Sequence, residues 1–280
     1  MDEMILRGFV SPEDFTGSPA EKLQAALSAA AEKDIRKVII EGRWQVDQPL
    51  IVPVPVEIIL RDAELEMTGE GPLLVNEAAV KPERAVWALE DQYLYIKGEP
   101  GKKAVLRGGL SWFHLQYLVM EDLQTEGSMR CEFCRELRLE RNEMTGTDGP
   151  ALLLMRGVNN VILQYSSLAG PERALVLDTG AAAGPYVVGK DADIHDVLIR
   201  DCRLASASGA APLQLLACGA NRIYNSQADH LTADGPAAEL GREGENLPAD
   251  RYFNLTLCDL GGTPAEKLLL QNETYHCYFA

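Results

Sequence analysis

The segment that decides the fold returns along the chain as YLVMEDL (117–123), LRLERNEM (137–144), VILQYSSL (161–168), VLIRDCRL (197–204) and FNLTLCDL (253–260). Apolar and polar residues alternate within each copy, and this period of two predicts a β-strand with one buried face. The same pattern extends to other parts of the chain when the copies are aligned on their last residue. These closing residues are Leu65, Leu123, Met144, Leu168, Leu204, Leu231 and Leu260.

A second strand follows most copies, usually after a glycine, as in PALLLM (150–155) and RALVLD (173–178). From Leu123 onward the closing residues are separated by 21, 24, 36, 27 and 29 residues. Two strands and two or three turns in each repeat, with no helix between them, predict an all-β parallel β-helix of about nine coils. Leucine-rich repeats are the alternative, but they would show a fixed L-x-x-L-x-L pattern and more regular lengths.

The N-terminal part of the chain predicts a cap for this solenoid. Ser18, Pro19 and Glu21 form the start of a helix, with Ser18 as N-cap and Glu21 at the third helical position. We expect a capping α-helix over 18–34, because the open end of a solenoid exposes unpaired backbone and core side chains. No linker rich in Pro, Gly or Ser divides the rest of the chain, so 1–280 is predicted as a single domain, with coils over 36–280.

The charge of the chain restricts its partners. It carries 42 acidic and 26 basic residues, a formal net charge of −16. Nucleic acid and anionic lipid both attract positively charged surfaces, so we expect neither nucleic acid nor a membrane as a partner. No cofactor or metal is expected, and six cysteines are too sparse for a disulfide scaffold. Without a visible signal peptide the default expectation is cytoplasmic, or secreted if a leader was removed.

Two stretches resemble the pectin-lyase-like right-handed parallel β-helix proteins. The first is DFTGSPAEKLQAALSAAAEKDIRKVIIEGRWQVDQPLIVPVPVEIIL (14–60), which is similar to the capping helix and first strands of that superfamily. The second is YLYIKGEPGKKAVLRGG (93–109), which is similar to its I-x-G-x-G-x-x-x-I-D-G-x-G segment, with Arg107 in place of the usual Asp. The resemblance implies a single-stranded, right-handed helix and a carbohydrate as substrate or ligand.

Within this superfamily, four short segments stand where the polygalacturonase-like glycoside hydrolases of family 28 have their motifs, and the first two of them resemble those motifs in altered form. Gln124–Gly127 stands at the N-T-D position, Thr147–Gly149 at D-D, Pro171–Arg173 at G-H-G and Ala211–Gln214 at R-I-K. The His of the third motif and the basic residues of the fourth are missing. The resemblance implies a divergent glycoside hydrolase with Glu126 and Asp148 as its acid and base, and we expect Glu172 and Arg173 to tune them as the third member of the catalytic group and its neighbour.

The three carboxylates also support this chemistry by their spacing. Glu126, Asp148 and Glu172 recur at intervals of 22 and 24 residues, which predicts equivalent turns of successive coils. With coils about 4.8 Å apart, neighbours would be about 5 Å apart and the outer two about 10 Å. Glycosidases need a proton donor and a base or nucleophile about 5–9.5 Å apart. The alternative is that the three are ordinary solvated turn residues, which an acidic chain forms easily.

Substrate-binding residues are expected beside this column. Arg173 follows Glu172, and two long insertions after the second strands carry Tyr186, Lys190 and Arg242. Loops on one side of a solenoid commonly form its binding surface. Three functions therefore stay open: a paired-carboxylate hydrolase of a polysaccharide or oligosaccharide, a non-catalytic β-helix that binds a glycan or protein, and a polysaccharide lyase. The net charge favours a neutral or weakly charged glycan.

Overall fold

The strands wind into a solenoid with three faces, as a computed structural model shows for residues 3–81, 93–180, 192–233, 236–242, 244, 247–260, 268–271 and 273–279. In the described residues the strands pair in parallel, and each strand inside a sheet lies between strands of the coils before and after it. The predicted right-handed parallel β-helix is thus confirmed. The single-domain assignment stays a prediction.

The described residues contain three α-helices and twenty-four β-strands. The helices are α1 (Glu3–Arg7), α2 (Pro19–Glu32) and α3 (Glu77–Val80), and short 3-10 turns lie at Pro12–Asp14 and Ala249–Arg251. Strands β1 (Lys37–Val46) and β3 (Val56–Met67) are long enough to run across two faces.

Face A is the part of the larger sheet that continues the first halves of β1 and β3. Its strands are β5 (Tyr93–Gly98), β8 (Tyr117–Glu121), β11 (Arg135–Glu140), β14 (Asn159–Gln164), β17 (Ile194–Arg200), β20 (Ile223–Leu231), β22 (Tyr252–Leu260) and β24 (Tyr278–Phe279).

Face B continues the second halves of β1 and β3, and face C is a separate nine-stranded sheet. Face B contains β6 (Ala104–Arg107), β9 (Gln124–Glu126), β12 (Glu143–Thr145), β15 (Ser167–Gly170) and β18 (Arg203–Ser206). Face C contains β2 (Leu50–Val52), β4 (Leu74–Asn76), β7 (Leu110–Phe113), β10 (Met129–Glu132), β13 (Leu152–Met155), β16 (Leu175–Asp178), β19 (Leu213–Leu216), β21 (Ala238–Leu240) and β23 (Leu268–Leu270).

One left-handed residue turns the chain from face A to face B. In successive coils this position is held by Asp122, Arg141, Tyr165 and Asp201, all with φ between 52° and 57°. Ordinary L-residues seldom adopt this conformation. It bends the chain without a loop, so each coil stays short and the inward side chains of the two faces converge.

Inward side chains stack in columns along the helix axis. On face A one such column contains Ile96, Met120, Leu139, Leu163, Ile199, Ala228 and Leu257, all buried. The residue after the left-handed bend also points inward, and in two successive coils it is polar, namely Asn142 and Ser166. The Asn142 side chain accepts from the backbone N–H of Leu123 (3.1 Å) and donates to the carbonyl of Met120 (2.9 Å). It therefore provides an acceptor for the N–H of Leu123, which follows the bend and lies outside the named strands, and a donor to the carbonyl of Met120.

The predicted capping helix is confirmed as α2. Ser18 and Glu21 form the reciprocal hydrogen bonds of a capping box, and Leu23 and Leu27 are buried against the first coil. The Gln24 side chain donates to the carbonyl of Ile51 (2.9 Å) and accepts from its N–H (2.8 Å). Because β2 is the first strand of face C, no strand precedes it, and the Gln24 side chain hydrogen-bonds to the backbone of this edge strand in place of one.

The alignment of the repeat is wrong by two residues in three coils. Thr125, and not Leu123, is in register with Met144 and Leu106, and Leu231 lies beside Cys202 in place of Leu204. Leu260 is displaced in the same way, because it pairs with Leu231. A shift of two residues keeps every apolar side chain on the buried face, so alternation does not distinguish the two registers.

Candidate functional site

Glu126 lies on a strand and not in a turn, contrary to the sequence prediction. It is the last residue of β9, and its in-register neighbours are Arg107 and Thr145. The Arg107 guanidinium forms an ion pair with the Glu126 carboxylate and also donates to Glu64 (3.0 Å). Glu126 is thus the end of a ladder of ion pairs on the outer surface of face B.

Asp148 and Glu172 lie in the exposed turns between faces B and C. Two residues separate β9 from β10, whereas six separate β12 from β13, and these additional turn residues contain Asp148. The interval of 22 residues therefore does not place Asp148 in register with Glu126. Asp148 accepts from the Thr147 hydroxyl (3.4 Å), and the carbonyl of Glu172 accepts from the Ser206 hydroxyl (2.7 Å).

Arg173 joins separate coils. Its guanidinium donates to the carbonyl of Ala211 (2.7 Å) and forms an ion pair with Glu239 (2.5 Å). The two side chains are 19% and 11% exposed. The Arg173 side chain therefore links neighbouring coils across the outer surface of face C and does not project toward solvent.

The remaining predicted binding residues belong to the two insertions. Arg242 is exposed, with its guanidinium 3.9 Å from a carboxylate oxygen of Asp178. Tyr186 and Lys190 lie outside the described residues.

A depression that the sequence reasoning missed lies on the outer surface of face A. This lateral groove has a volume of about 480 Å³ and crosses strands β8, β11, β14 and β17. It is lined by Tyr117, Val119, Glu136, Leu137, Arg138, Asn160, Val161, Ile162, Asp196 and Leu198.

Two rows of outward side chains form the lateral groove. One is the floor, in which Val119, Arg138, Ile162 and Leu198 follow one another in register. The other is the edge formed by Tyr117 and the left-handed residues Glu136, Asn160 and Asp196. Neighbouring strands lie about 4.8 Å apart, so both rows repeat at that spacing along the helix axis.

The polar edge continues into a stack of rings. The Asp196 carboxylate lies 2.7 Å from Nδ1 of His195. The His195 ring stacks on Tyr224, which stacks on Phe253, with centroids 4.9 and 4.7 Å apart and planes within 14°. These contacts position the His195 side chain, which in turn orients Asp196 at the end of the groove.

On the side of the floor that lies away from the polar edge, charged side chains form ion pairs. Arg138 forms an ion pair with Glu140 (2.7 Å), and Arg200 donates two hydrogen bonds of 2.8 Å to Asp229. Arg200 lowers the pKa of the Asp229 carboxyl, and the same contact raises the pKa of Arg200. With these charges engaged among themselves, the floor offers mainly aliphatic surface beside a row of hydrogen-bonding groups.

The lateral groove has the composition of a binding site for an organic ligand that carries polar groups. Such sites combine apolar walls with a few oriented polar groups. Tyr117, 37% exposed, adds an amphipathic ring at the N-terminal end. In the described part of the chain, no three His, Cys, Asp or Glu side chains converge in a way that could hold a metal ion. Nor does any helix there have the length and apolar character that crossing a membrane requires.

Comparison with known proteins finds similar structures but no similar sequences. No model of a known protein family matches the chain, and no curated protein sequence matches it. Among solved structures, the Streptococcus pneumoniae surface protein and adhesin PfbA is similar over 97% of this chain and 99% of its own, with a TM-score of 0.58 and 10% identity. At that identity the similarity concerns the fold alone.

Two further structures are similar at a lower level. The A-module of the Azotobacter vinelandii mannuronan C-5 epimerase AlgE6 gives a TM-score of 0.44 at 10% identity, over 97% of this chain and 99% of its own. Tailspike protein 3 of bacteriophage CBA120 gives 0.41 at 10% identity, over 99% of this chain and 60% of its own.

Proposed function

We propose that this protein binds a glycan, and that the ligand lies along the lateral groove of face A. The observation that carries the proposal is a groove over four successive coils whose floor is aliphatic in three of them, with Arg138 in the other, and whose edge is polar. Val119, Ile162 and Leu198 are half-buried and face outward, where a soluble protein usually places polar residues. Contiguous exposed apolar surface commonly marks an interaction site.

A sugar polymer matches this arrangement chemically. The C–H faces of pyranose rings pack on aliphatic and aromatic side chains, while their hydroxyl groups donate to carboxylates and amides. In the groove those acceptors are Glu136, Asn160 and Asp196, one in each coil. A repeating row of acceptors suits a repeating ligand, which is a reason to prefer a glycan chain to a single small molecule.

The charges in the groove favour a neutral glycan over most of its length. Glu136 and Asp196 contribute negative charge to the edge, and the whole chain carries −16. A uniformly anionic polymer would be repelled there. Arg138 is the positive residue of the lining, and it is paired with Glu140.

The experiment is a glycan array followed by calorimetric titration of the best neutral ligand. Ile162→Arg places a long charged side chain on the groove floor, and Ile51→Arg makes the same change at an outward position of face C. We expect at least tenfold weaker binding for Ile162→Arg and unchanged binding for Ile51→Arg. Equal effects of the two changes, or binding of a protein partner with no glycan at all, would contradict the proposal.

Hydrolysis is a second candidate, favoured by the surroundings of Glu126. Thr145, its neighbour in register, lines a shallow depression of about 310 Å³ on face B, together with Glu143 and Arg203. From the strand spacing and the rise per residue, the Cα atoms of Glu126 and Glu143 are about 8 Å apart, a separation that is compatible with the distance of about 6.5–9.5 Å between the carboxyl groups of inverting glycosidases. The family resemblance would instead pair Glu126 with Asp148.

Release of reducing ends tests this second candidate. We would compare the wild type with Glu126→Gln, Glu143→Gln and Asp148→Asn on a broad set of glycans. Turnover that Glu126→Gln abolishes supports hydrolysis, and the partner variant that also abolishes it identifies the second carboxylate. Binding without turnover in the wild type supports the lateral groove as a purely binding surface.

A further inference from the structure

A second depression on face A differs from the lateral groove in its charge. This basic pocket, of about 340 Å³, is lined by Ile35, Arg36, Lys37, Glu57, Tyr93, Tyr95 and Lys97. Three cations and one carboxylate thus line it, in a chain that has 16 more acidic than basic residues. A local concentration of positive charge against the global field is a feature that attracts an anion.

The basic pocket lies beside the N-terminal end of the lateral groove. Tyr93 and Tyr95 of β5 are in register with Tyr117 and Val119 of β8. The first pair lines the pocket and the second pair lines the groove. A ligand that extends along face A by one coil therefore passes from one depression into the other.

The cations come from different parts of the chain and are partly exposed. Arg36 precedes β1, Lys37 begins it, and Lys97 lies on β5. Lys37 is 3.4 Å from Glu57, and Lys97 is 4.0 Å from Glu121 and 4.9 Å from the centroid of the Tyr95 ring. An ammonium group has three donors, so both lysines keep capacity for an additional acceptor.

Arg36 is held differently from the lysines. Its guanidinium contacts Asp34 (2.5 Å), and hydrogen bonds to Tyr93 and Asp34 raise its pKa. Asp34 contacts the Arg36 side chain at Nε, so one edge of the guanidinium is already engaged by a carboxylate, and this carboxylate offsets part of the arginine's charge. The two lysines instead act as separate point charges, which suits an anion with acceptor oxygens in several directions.

We propose that the basic pocket binds a tetrahedral oxyanion, namely the sulfate or phosphate ester of a sugar at one end of the glycan in the lateral groove. The part concerning the glycan rests on the proposed function, whereas the pocket's affinity for the oxyanion does not. The ester oxygens accept from Lys37 and Lys97, and the tyrosine rings pack against the sugar that carries the ester. The pocket thereby sets the direction in which the glycan lies.

The first experiment measures binding of small anions by NMR titration at low ionic strength. The probes are inorganic sulfate, inorganic phosphate, glucosamine 6-sulfate, glucose 6-phosphate and glucuronate. We expect saturable binding of the sulfated or the phosphorylated sugar, with at least tenfold lower affinity for glucuronate, and the better of the two esters identifies the source of the oxyanion. Equal or tighter binding of glucuronate, or no saturable binding of any ester, would overturn the proposal.

Lysine variants connect this binding to the pocket. Lys97→Ala and Lys37→Ala should each weaken binding of the ester at least tenfold. Lys102→Ala removes the same charge from a lysine that pairs with Asp62 outside the pocket, and it should leave affinity within twofold. Similar losses in all three variants would indicate a general effect of net charge and would contradict a specific site. Circular dichroism of each variant verifies that the fold is retained.

Ile162→Arg separates this proposal from the proposed function. If both are correct, that variant loses the neutral glycan but keeps the sugar ester. If the wild type binds the ester and no neutral glycan, the proposed function fails and the pocket assignment stands. If it binds a neutral glycan but no ester, the pocket assignment fails and the proposed function stands.

Discussion

Tyr93 and Tyr117 stand in register on the neighbouring parallel strands β5 and β8, and each lines a different depression of face A. Their positions connect the basic pocket to the lateral groove. Outward side chains of a parallel sheet repeat at the spacing of its strands. Face A therefore presents one continuous surface that changes from basic and aromatic to aliphatic with an acidic edge along the helix axis.

Asn142 should be a major determinant of stability. Asn142→Ala removes the side-chain acceptor of the Leu123 N–H and one donor to the carbonyl of Met120, both inside the solenoid. We expect a loss of about 2–3 kcal/mol in the free energy of unfolding, because buried unpaired backbone groups are costly. Urea unfolding measures this, with the exposed Gln124→Ala as a control that should stay within about 0.5 kcal/mol. Equal unfolding midpoints for the two variants would contradict the role assigned to Asn142.

Arg173 should act on stability and not on ligand affinity. Arg173→Met leaves the Glu239 carboxylate, 11% exposed, without its ion-pair partner, and we expect a loss of about 2–3 kcal/mol. The double variant Arg173→Met/Glu239→Leu should recover most of this loss, because it removes both charges. Thermal or urea unfolding provides the first readout and glycan titration the second. A loss of affinity with unchanged stability would return Arg173 to the substrate-binding role that its sequence position suggests.

Glu64 should contribute to unfolding in acid. Hydrogen bonds from Lys103, and then from Arg107, lower the pKa of its carboxyl from the ordinary 4.5 to about 2. Because the folded-state pKa is the lower one, this contribution is complete above about pH 4.5 and is lost as pH falls toward 2. Stability measured from pH 6 to pH 2 should therefore decline less steeply in Glu64→Gln than in the wild type. The exposed Glu143→Gln serves as control, and a Glu64→Gln curve parallel to the wild type would refute the assignment.

The fold could be predicted from the sequence because two of its signals are local. Alternation in segments such as VILQYSSL identifies the strands, and Ser18 with Glu21 identifies the start of the capping helix. The register between coils depends on where the left-handed bend falls. Asp122 bends the chain one residue before Leu123, whereas Arg141 bends it three residues before Met144. The aligned closing residues therefore do not share a column.

The candidate site was harder to predict because it depends on that register. Glu126 and Asp148 have a suggestive spacing, but the longer turn after β12 moves Asp148 out of the ladder. The lateral groove left a weak signal in the sequence, namely Val119, Ile162 and Leu198 at positions that alternation assigns to solvent. Apolar residues at outward positions in several repeats would have indicated a binding surface before the structure was known.

We expect glycan binding at the lateral groove to depend more directly on the Tyr117 ring than on any other single side chain. It is the aromatic residue of the lining and is 37% exposed. Loss of an aromatic packing surface of this kind costs about 1–1.5 kcal/mol, or about tenfold in affinity. Tyr165, 57% exposed at the bend between faces A and B, is a matched tyrosine that does not line the groove.

The most direct test is a calorimetric titration of the wild type, Tyr117→Ala and Tyr165→Ala with the neutral glycan that binds best. We predict about tenfold weaker binding for Tyr117→Ala, unchanged binding for Tyr165→Ala, and unfolding midpoints similar to the wild type for both. Wild-type affinity in Tyr117→Ala would contradict the claim that the glycan occupies the lateral groove.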